Sequence, residues 1–321
     1  MKRISSELKD AKTIAIGGHV RPDGDCVCSV MALYRYLKKE LPEARIDAYL
    51  ETPPAVFRVL PGIENIKSEF DNKETYDIFF ALDCNEERLG EARPLFDRAR
   101  RRINIDHHIS NTGCGDVNVV EPERSSTSEL LYELMEPELV DEEIAKAVYI
   151  GIAHDTGVFR YSNTSVRTME IAANLLKFGF DFSGLIEKTF YEKTYVQTQI
   201  MGRAILESIR FMNNKCIVSV VTRRMMDFYQ VGPKDLDGIV NQLQGVKGVE
   251  CAIFMYEIGT LSYKVSMRSN GLVDVAGVAV KFGGGGHLRA AGCTMNGTCH
   301  DNINNLSREI ASQLKKAQEQ V

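Results

Sequence analysis

The residues of this chain that could do chemistry are histidines and aspartates in four short segments of its first half. These are His19-Val20-Arg21-Pro22-Asp23-Gly24-Asp25, Asp83, Asp106-His107-His108 and Asp155. Imidazole nitrogens mixed with carboxylate oxygens suit Mn²⁺, Fe²⁺ or Zn²⁺, whereas Mg²⁺ and Ca²⁺ normally take oxygen ligands alone. The four segments therefore predict a metal site.

The number of these side chains predicts two ions rather than one. Five or six ligands exceed what one ion takes from protein while it keeps positions open for water, but they suit two ions roughly 3.5–4 Å apart that share a carboxylate. Asp83, alone on its strand, is the predicted bridge. Such a pair would lower the pKa of a shared water and neutralise phosphoryl charge, so hydrolysis of a phosphate ester is the predicted reaction.

Each segment also has a simpler interpretation when it is taken singly. An isolated aspartate such as Asp83 or Asp155 is typical of a turn or a helix N-cap, and Asp25 stands just before a predicted helix. The pair His107 and His108 would be unremarkable on a surface. All four segments together, in this order, are much less expected by chance, which favours the metal site.

The elements that must position these residues alternate between strands and helices. In the first half, strands are predicted at Thr13–Gly18, Arg45–Leu50, Asp77–Asp83 and Arg102–Asp106, and helices at Asp25–Lys39, Ser126–Met135, Glu142–Ala153 and Val166–Phe178. This alternation is typical of an α/β fold with a parallel sheet. Because the carboxyl ends of parallel strands lie along one edge, residues far apart in the chain can converge there.

The second half predicts a smaller α/β domain. Strands are expected at Cys216–Thr222, Cys251–Tyr256 and Leu261–Arg268, and helices at Leu236–Leu243, at Val273–Phe282 and in a long segment from about Tyr195. We therefore predict a catalytic domain over residues 1–185, a helical linker over 186–203 and a substrate-binding domain over 204–321.

The amino-acid composition limits the classes of protein to which this chain can belong. A chain of 321 residues, 44% hydrophobic and 26% charged, is long enough for two domains with separate cores. Its net charge of −5 argues against a protein that coats long or duplex nucleic acid. Eight cysteines without a CxxC pair, and no bilayer-length apolar run, favour a cytoplasmic protein with reduced thiols and no membrane partner.

A glycine run in the second half is a candidate phosphate site. Gly283-Gly284-Gly285-Gly286-His287 precedes Arg289-Ala290-Ala291-Gly292. Consecutive glycines allow backbone N–H groups to approach a phosphate closely, and His287 and Arg289 would add charge-assisted hydrogen bonds. A flexible turn is the simpler interpretation of such a run when it stands alone.

Together these segments resemble the DHH phosphoesterase superfamily, in which Asp106-His107-His108 would be the name-giving motif. The resemblance implies two Mn²⁺ ions, with Fe²⁺, Zn²⁺, Co²⁺ or Mg²⁺ as replacements. It implies that His19, Asp23 and Asp83 hold one ion, and that the other is held by Asp25, Asp83, His107 and Asp155. By the same resemblance, His108 contacts the substrate phosphate or helps to protonate the leaving group, and Asp106 orients the histidines.

The glycine run resembles the DHH-associated substrate-binding domain. The resemblance implies substrate contacts from Gly284, Gly285, Gly286, His287 and Arg289. It also implies one from Arg268, since Ser266-Met267-Arg268-Ser269 resembles the strand that projects an arginine toward the substrate. Alternation along that strand places Arg268 on a polar face, where it would equally suit an exposed strand residue.

The resemblance covers nearly the whole chain and selects among subfamilies. Three other subfamilies differ from this sequence. RecJ exonucleases normally carry an additional OB-type domain, family II pyrophosphatases lack the glycine run, and membrane-tethered cyclic-di-AMP phosphodiesterases carry transmembrane regions. The sequence looks most like the two-domain NrnA group. This group is implied to remove mononucleotides from the 5′ end of short single-stranded RNA and to dephosphorylate 3′-phosphoadenosine 5′-phosphate (pAp), and it is compatible with a homodimer.

Two alternatives to this function stay open from the sequence. One is a phosphodiesterase of linear or cyclic dinucleotides such as pApA or cyclic-di-AMP, and the other is a nucleotide-binding protein without catalysis. His154 departs from the family pattern, in which a small or hydroxyl residue precedes the aspartate. Cys26, Cys28 and Cys84 flank the metal-binding segments and could bind a soft ion, but they are interpreted as packing residues.

Overall fold

The computed structural model describes residues 3–319 and contains two compact units, one up to Glu192 and one from Lys193 on. Each unit has a six-stranded sheet. The predicted α/β fold, with a parallel sheet in the first half and a smaller α/β domain in the second, is confirmed. The bounds predicted for the two domains and the linker stay a prediction.

All strand pairs of the first sheet are parallel. The strands are β1 (Thr13–Gly17), β2 (Arg45–Tyr49), β3 (Ile66–Lys67), β4 (Ile78–Leu82), β5 (Arg101–Asp106) and β6 (Val117–Val120). Their order is β3-β2-β1-β4-β5-β6, so the chain runs outward from β1 in one direction and then continues from β4 in the other. In open α/β sheets this point of reversal, at the carboxyl ends of the strands, is where ligands bind.

Six α-helices accompany this sheet. They are α1 (Gly24–Glu40), α2 (Arg93–Arg98), α3 (Thr127–Leu134), α4 (Glu142–Asp155), α5 (Val166–Leu176) and α6 (Phe182–Ile186). Aspartate or serine side chains cap the start of five of them, including Asp23 at α1 and Ser126 at α3. The core includes Val27, Val30 and Met31 of α1, each at most 1% exposed. A helix that is buried so completely holds its first residues, and with them Asp25, in a fixed place.

The second sheet is mixed, with β8 and β9 parallel and the other neighbouring pairs antiparallel. Its strands, in the order β11-β12-β10-β9-β8-β7, are β7 (Ile209–Phe211), β8 (Cys216–Val221), β9 (Cys251–Gly259), β10 (Ser262–Ser269), β11 (Gly285–His287) and β12 (Ala290–Asn296). The helices of this unit are α7 (Tyr195–Leu206), α8 (Arg223–Tyr229), α9 (Ile239–Gln244), α10 (Val275–Lys281) and α11 (Cys299–Glu319).

The helix predicted over Leu236–Leu243 is divided in the structure. A 3₁₀ helix ends at Leu236, and α9 begins at Ile239. Gly238 between them has a φ of +85°, a left-handed conformation that glycine adopts without steric cost and that interrupts the helix. Within residues 3–319, no helix combines the length and the apolar character that crossing a membrane requires.

Candidate functional site

The histidines and aspartates of the first unit meet at the carboxyl ends of three neighbouring strands. His19 follows β1, Asp83 directly follows β4, and Asp106 is the last residue of β5, so that His107 and His108 come just beyond it. Asp83 has a φ of +59°, a left-handed conformation that aspartate tolerates better than most residues. The four segments of the sequence are thus brought to one edge of the sheet.

Three groups of side chains at this edge could hold a metal ion, with ligand atoms that lie within 4.8 Å of one another in each group. The groups are His19, Cys26 and Asp83; Asp83, His107 and His108; and Asp25, His107 and Asp155. Asp83 belongs to the first two groups and His107 to the last two. The three groups therefore form one continuous centre rather than separate sites.

The two oxygens of Asp83 face different histidines. Oδ2 lies 3.5 Å from Nε2 of His19, while Oδ1 lies 3.6 Å from Nε2 of His107 and 3.5 Å from Nδ1 of His108. The hydroxyl of Thr127 donates a hydrogen bond of 3.0 Å to the same Oδ1. A carboxylate in this arrangement can contribute one oxygen to each of two adjacent ions.

Backbone carbonyls orient two of the histidines for metal binding. Nδ1 of His19 donates to the Val20 carbonyl at 2.9 Å, and Nδ1 of His107 donates to the Arg124 carbonyl at 3.2 Å. This assignment leaves the lone pair of each Nε2 free to face the carboxylates, which is how metal-binding histidines are commonly held. The Nε2 atom of His107 lies 3.2 Å from an oxygen of Asp155.

The surroundings of the Nε2 atom of His19 show whether the residues of this centre fit a metal ion. The atom is buried and has no hydrogen-bond partner within the described part of the chain. One carboxylate oxygen of Asp23 and one of Asp83 each lie 3.5 Å from this nitrogen, which is too far for a good hydrogen bond. Since buried polar atoms normally have partners, an unpartnered nitrogen beside two carboxylates fits a bound cation.

Asp25 is held by the beginning of α3. Its two oxygens accept hydrogen bonds from the backbone N–H groups of Thr127 at 2.7 Å and Ser128 at 3.0 Å. Burial and the nearby charge of Asp83 nevertheless raise the pKa of Asp25 well above its usual value. Burial, followed by the charges of Asp25 and Asp83, likewise raises the pKa of Asp155. Positive charge from a metal would relieve this crowding of carboxylates.

Asp106 organises the segment that contains the histidines. Its Oδ1 accepts hydrogen bonds from the backbone of His107 at 2.7 Å and from Nδ1 of His108 at 2.7 Å, and its Oδ2 accepts one from Asn111 at 2.6 Å. Burial alone would raise the pKa of Asp106 and lower that of His108. The hydrogen bond between the two side chains, together with the bond from Asn111 to Asp106 and the nearby charge of Asp83, outweighs burial, so the pKa of Asp106 is lowered and that of His108 is raised.

The sequence did not identify two residues of this centre, Thr127 and Asn111. Thr127 belongs to the run Ser125-Ser126-Thr127-Ser128, which is a clear signal for the start of a helix. That signal predicts the capping role of Ser126 but not the hydrogen bond from Thr127 to Asp83. No local pattern marks Asn111, because its role depends on the fold of the segment after β5.

His154 lies outside the three groups of possible ligands. Its ring packs between those of Phe57 and Phe190, with centroids 5.1 and 5.3 Å away. It also presses against Gly24, where a Cβ atom would lie 2.3 Å from the ring. The structure therefore supports packing as the role of this departure from the family pattern.

In the second unit, the candidate substrate-binding residues lie at one end of the sheet. Arg268 of β10 and His287 of β11 both pair with Ala290 of β12, and Arg289 lies in the turn that joins β11 to β12. Arg268 donates to the side-chain oxygen of Asn241 at 3.1 Å. The side chain of His287 lies outside the part that the structure describes.

The glycine run is partly a strand rather than the expected loop. Gly285 and Gly286 belong to the edge strand β11, because their backbone packs closely against β12. A Cβ atom on Gly284 would lie 2.2 Å from the Gly292 carbonyl, and one on Gly286 would lie 2.5 Å from the Ala290 carbonyl. Side chains are excluded at both positions. An edge strand has unpaired backbone groups, so N–H groups are still available to an anion.

Comparisons with known proteins agree with these observations. Residues 13–152 match the model of the DHH family, N-terminal domain, and residues 213–316 match the DHHA1 domain. A protein of Thermus thermophilus named bifunctional oligoribonuclease and PAP phosphatase NrnA is 32% identical over 92% of this chain and 89% of its own length. A Bacillus subtilis protein of the same name is 28% identical over 88% of this chain and 89% of its own length.

A solved structure is similar over almost the whole chain. The crystal structure of an exopolyphosphatase-related protein from Bacteroides fragilis has a TM-score of 0.88 and 27% identity, and the match covers 96% of this chain and 94% of that one. The order of the two family domains, the identity to the Thermus relative and the convergence of the histidine and aspartate segments lead to one conclusion. The chain belongs to the DHH superfamily of phosphoesterases and is of the NrnA type.

Proposed function

We propose that this hydrolase of phosphate esters removes mononucleotides from the 5′ end of very short RNAs and dephosphorylates pAp, with two Mn²⁺ ions. The observation that carries the two-ion assignment is the geometry of Asp83, whose two oxygens face His19 on one side and His107 on the other. The substrates follow from the names of the relatives, which are called oligoribonuclease and PAP phosphatase.

We assign one ion to His19, Asp23 and Asp83, and the other to Asp25, Asp83, His107 and Asp155. The unpartnered Nε2 of His19 and the raised pKa values of Asp25 and Asp155 support this assignment. Mixed imidazole and carboxylate ligands support Mn²⁺, with Fe²⁺, Zn²⁺, Co²⁺ or Mg²⁺ as replacements. When bound, such ions neutralise charge on phosphoryl oxygens and make water a better nucleophile at neutral pH.

The protein's own groups complete the chemistry. We assign His108 the role of contacting the phosphate or helping to protonate the leaving group. Its hydrogen bond to Asp106 at 2.7 Å favours the protonated imidazole, since it raises the pKa of His108. Asp106 is buried and also bonded to the backbone of His107, so it positions the pair rather than touching the substrate.

In the second unit we assign substrate binding to Arg268, His287, Arg289 and the backbone of Gly284–Gly286. Guanidinium groups bind phosphate through paired hydrogen bonds, and the exposed edge of β11 adds N–H donors. Such contacts suit short, single-stranded and phosphorylated ligands. We also propose a cytoplasmic location, which fits eight cysteines that form no disulfide among themselves.

The test is hydrolysis, with Mn²⁺, of labelled RNAs of about two to five residues, a long single-stranded RNA, pAp, pApA, cyclic-di-AMP and pyrophosphate. We expect cleavage of the short RNAs and pAp, with little cleavage of the long RNA. Activity confined to pApA or cyclic-di-AMP would keep the metal centre but replace the proposed substrates. A metal-loaded protein that hydrolyses none of the compounds would overturn the proposal.

A further inference from the structure

A thiol lies inside the metal centre of the first unit. Cys26 directly follows Asp25 and is fully buried, and its Sγ accepts a hydrogen bond from the backbone N–H of His19 at 3.2 Å. The sulfur also lies within 4.8 Å of ligand atoms of His19 and Asp83. The function proposed above gives this thiol no role.

The surroundings of Cys26 include a buried nitrogen atom without a hydrogen-bond partner in the described part of the chain. The His19 side chain is 2% exposed, and its Nδ1 proton is used by the Val20 carbonyl. Its Nε2 therefore carries a lone pair, yet that atom has no hydrogen-bond partner among residues 3–319. A buried imidazole nitrogen beside a thiol and a carboxylate is typical of a site for a transition metal.

The other two groups of possible ligands differ from this one in chemistry. Neither the group of Asp83, His107 and His108 nor the group of Asp25, His107 and Asp155 contains sulfur. Thiolate ligands favour soft or borderline ions such as Zn²⁺ and Co²⁺, whereas oxygen-rich sets suit Mn²⁺. The two positions of the centre therefore present different ligand sets to the two ions.

We propose that Cys26 is a ligand of the ion at the His19 position, and that it raises the affinity of this position for Zn²⁺ or Co²⁺, relative to Mn²⁺, above that of the sulfur-free position. The inference rests on the proposed function, because it concerns the same metal centre. Coordination takes the thiolate, and the thiol proton leaves to solvent as the metal–sulfur bond forms. The second metal position, which includes His107, has nitrogen and oxygen ligands only.

The experiment is a titration of the metal-free full-length chain with Co²⁺, followed by absorbance. Thiolate coordination produces a charge-transfer band in the near ultraviolet, which ligands of nitrogen and oxygen alone do not produce. We expect this band in the wild type and not in Cys26→Ser, whose hydroxyl can still accept the hydrogen bond from His19. Competition between Zn²⁺ and Mn²⁺ should show a loss of Zn²⁺ preference of at least about tenfold.

Cys28→Ser and Cys84→Ser are the matched controls. Both residues are buried near the centre, and neither belongs to a group of possible ligands, so both variants should keep the band. If Cys26→Ser does not fold, as judged by circular dichroism, Cys26→Ala replaces it, since a small apolar residue suits the start of α1. Loss of the band in either Cys26 variant, with the band kept in the controls, supports the assignment.

The outcomes separate this inference from the proposed function. A wild type that binds Co²⁺ without the band, or a Cys26 variant that keeps it, would overturn the role of Cys26. If the same protein hydrolyses pAp or short RNA, the proposed function stands. A protein that binds no Co²⁺ and hydrolyses no phosphate ester with any of these ions would overturn both.

Discussion

The two units of this chain prepare their candidate binding residues in opposite ways. In the first unit, the side chains of His19, Asp25 and Asp83 are at most 2% exposed, and hydrogen bonds hold the orientation of each. In the second unit, Arg289 is exposed in a turn, and closely packed glycines bring the backbone itself to the surface.

The difference follows from what each region has to do. Metal ions need ligand atoms at fixed distances, and burial with hydrogen bonds to the ligands provides them before the ion arrives. Recognition of a phosphate on ligands that differ in size needs exposed hydrogen-bond donors. These donors bind water when no ligand is present and release it when the phosphate binds. Changes in the first unit should therefore affect metal binding and turnover, and changes in the second should affect substrate affinity.

The largest effect is expected from Asp83→Ala. Loss of the carboxylate that faces both histidine groups should remove both ions and lower kcat by on the order of 10³-fold or more. The measurement is hydrolysis of pAp together with metal content. Asp116→Ala is the control, because Asp116 binds Arg102 elsewhere in the same unit. Full metal content with normal kcat in Asp83→Ala would contradict the assignment of the bridge.

A smaller effect, of a different kind, is expected from Arg268→Ala and Arg289→Ala. Each removes a charge-assisted hydrogen bond to substrate, which should raise KM by about tenfold or more while the bound metal is unchanged. Steady-state kinetics and metal analysis check both statements. Arg210→Ala, on β7 of the same sheet, is the control. If the two variants instead lost metal, the proposed contrast between the units would be wrong.

Thr127→Val tests whether a hydrogen bond to a metal ligand matters for metal binding in the first unit. The hydroxyl of Thr127 donates to Oδ1 of Asp83 at 3.0 Å, so its removal should loosen that carboxylate and weaken metal affinity by about tenfold. Metal titration of the metal-free protein measures the change. Thr127→Ser keeps the hydroxyl and should bind metal like the wild type. Equal affinity in Thr127→Val would show that the hydrogen bond does not position Asp83.

The smallest effect is expected far from the centre, at Asp77. Its carboxylate accepts hydrogen bonds from the backbone N–H groups of Lys12 and Thr13 at 3.0 Å. Burial opposes ionisation, but these bonds outweigh it and lower the pKa of Asp77. Asp77→Asn should therefore lower the free energy of unfolding by about 1–2 kcal/mol at pH 7.

The pH dependence of this last effect has a definite sign. Because the pKa is lower in the folded state, the stabilisation is present above the unfolded pKa of about 3.9 and is lost as the pH falls through the folded value. Calorimetric unfolding of both proteins between pH 7 and pH 3 should show the difference shrinking below about pH 4. A constant difference would mean that the charge of Asp77 does not contribute.

Much of the fold could be predicted from local patterns. The four strands predicted in the first half agree with β1, β2, β4 and β5 within one residue at each end, because a short run rich in apolar residues marks each of them, continuous in β4 and interrupted by Asp47 in β2 and Asn104 in β5. Five strands were not predicted, namely β3 (Ile66–Lys67), β6, β7, β11 and β12; for β3 and β11 the reason is plain. Two residues carry too little pattern, and a run of glycines has no side chains to show the alternation of a strand.

The amino-acid sequence shows which residue types are available and in which order they occur, and this is enough for the family, the two domains and the expectation of a metal centre. Which atoms meet depends on the three-dimensional fold. Pairing of β1 with β4 and of β4 with β5 places Asp83 between His19 and His107, while α1 and α3 bring Cys26 and Thr127 to it. These contacts join residues that are distant in the chain, and long-range pairing and packing leave no mark in a local pattern.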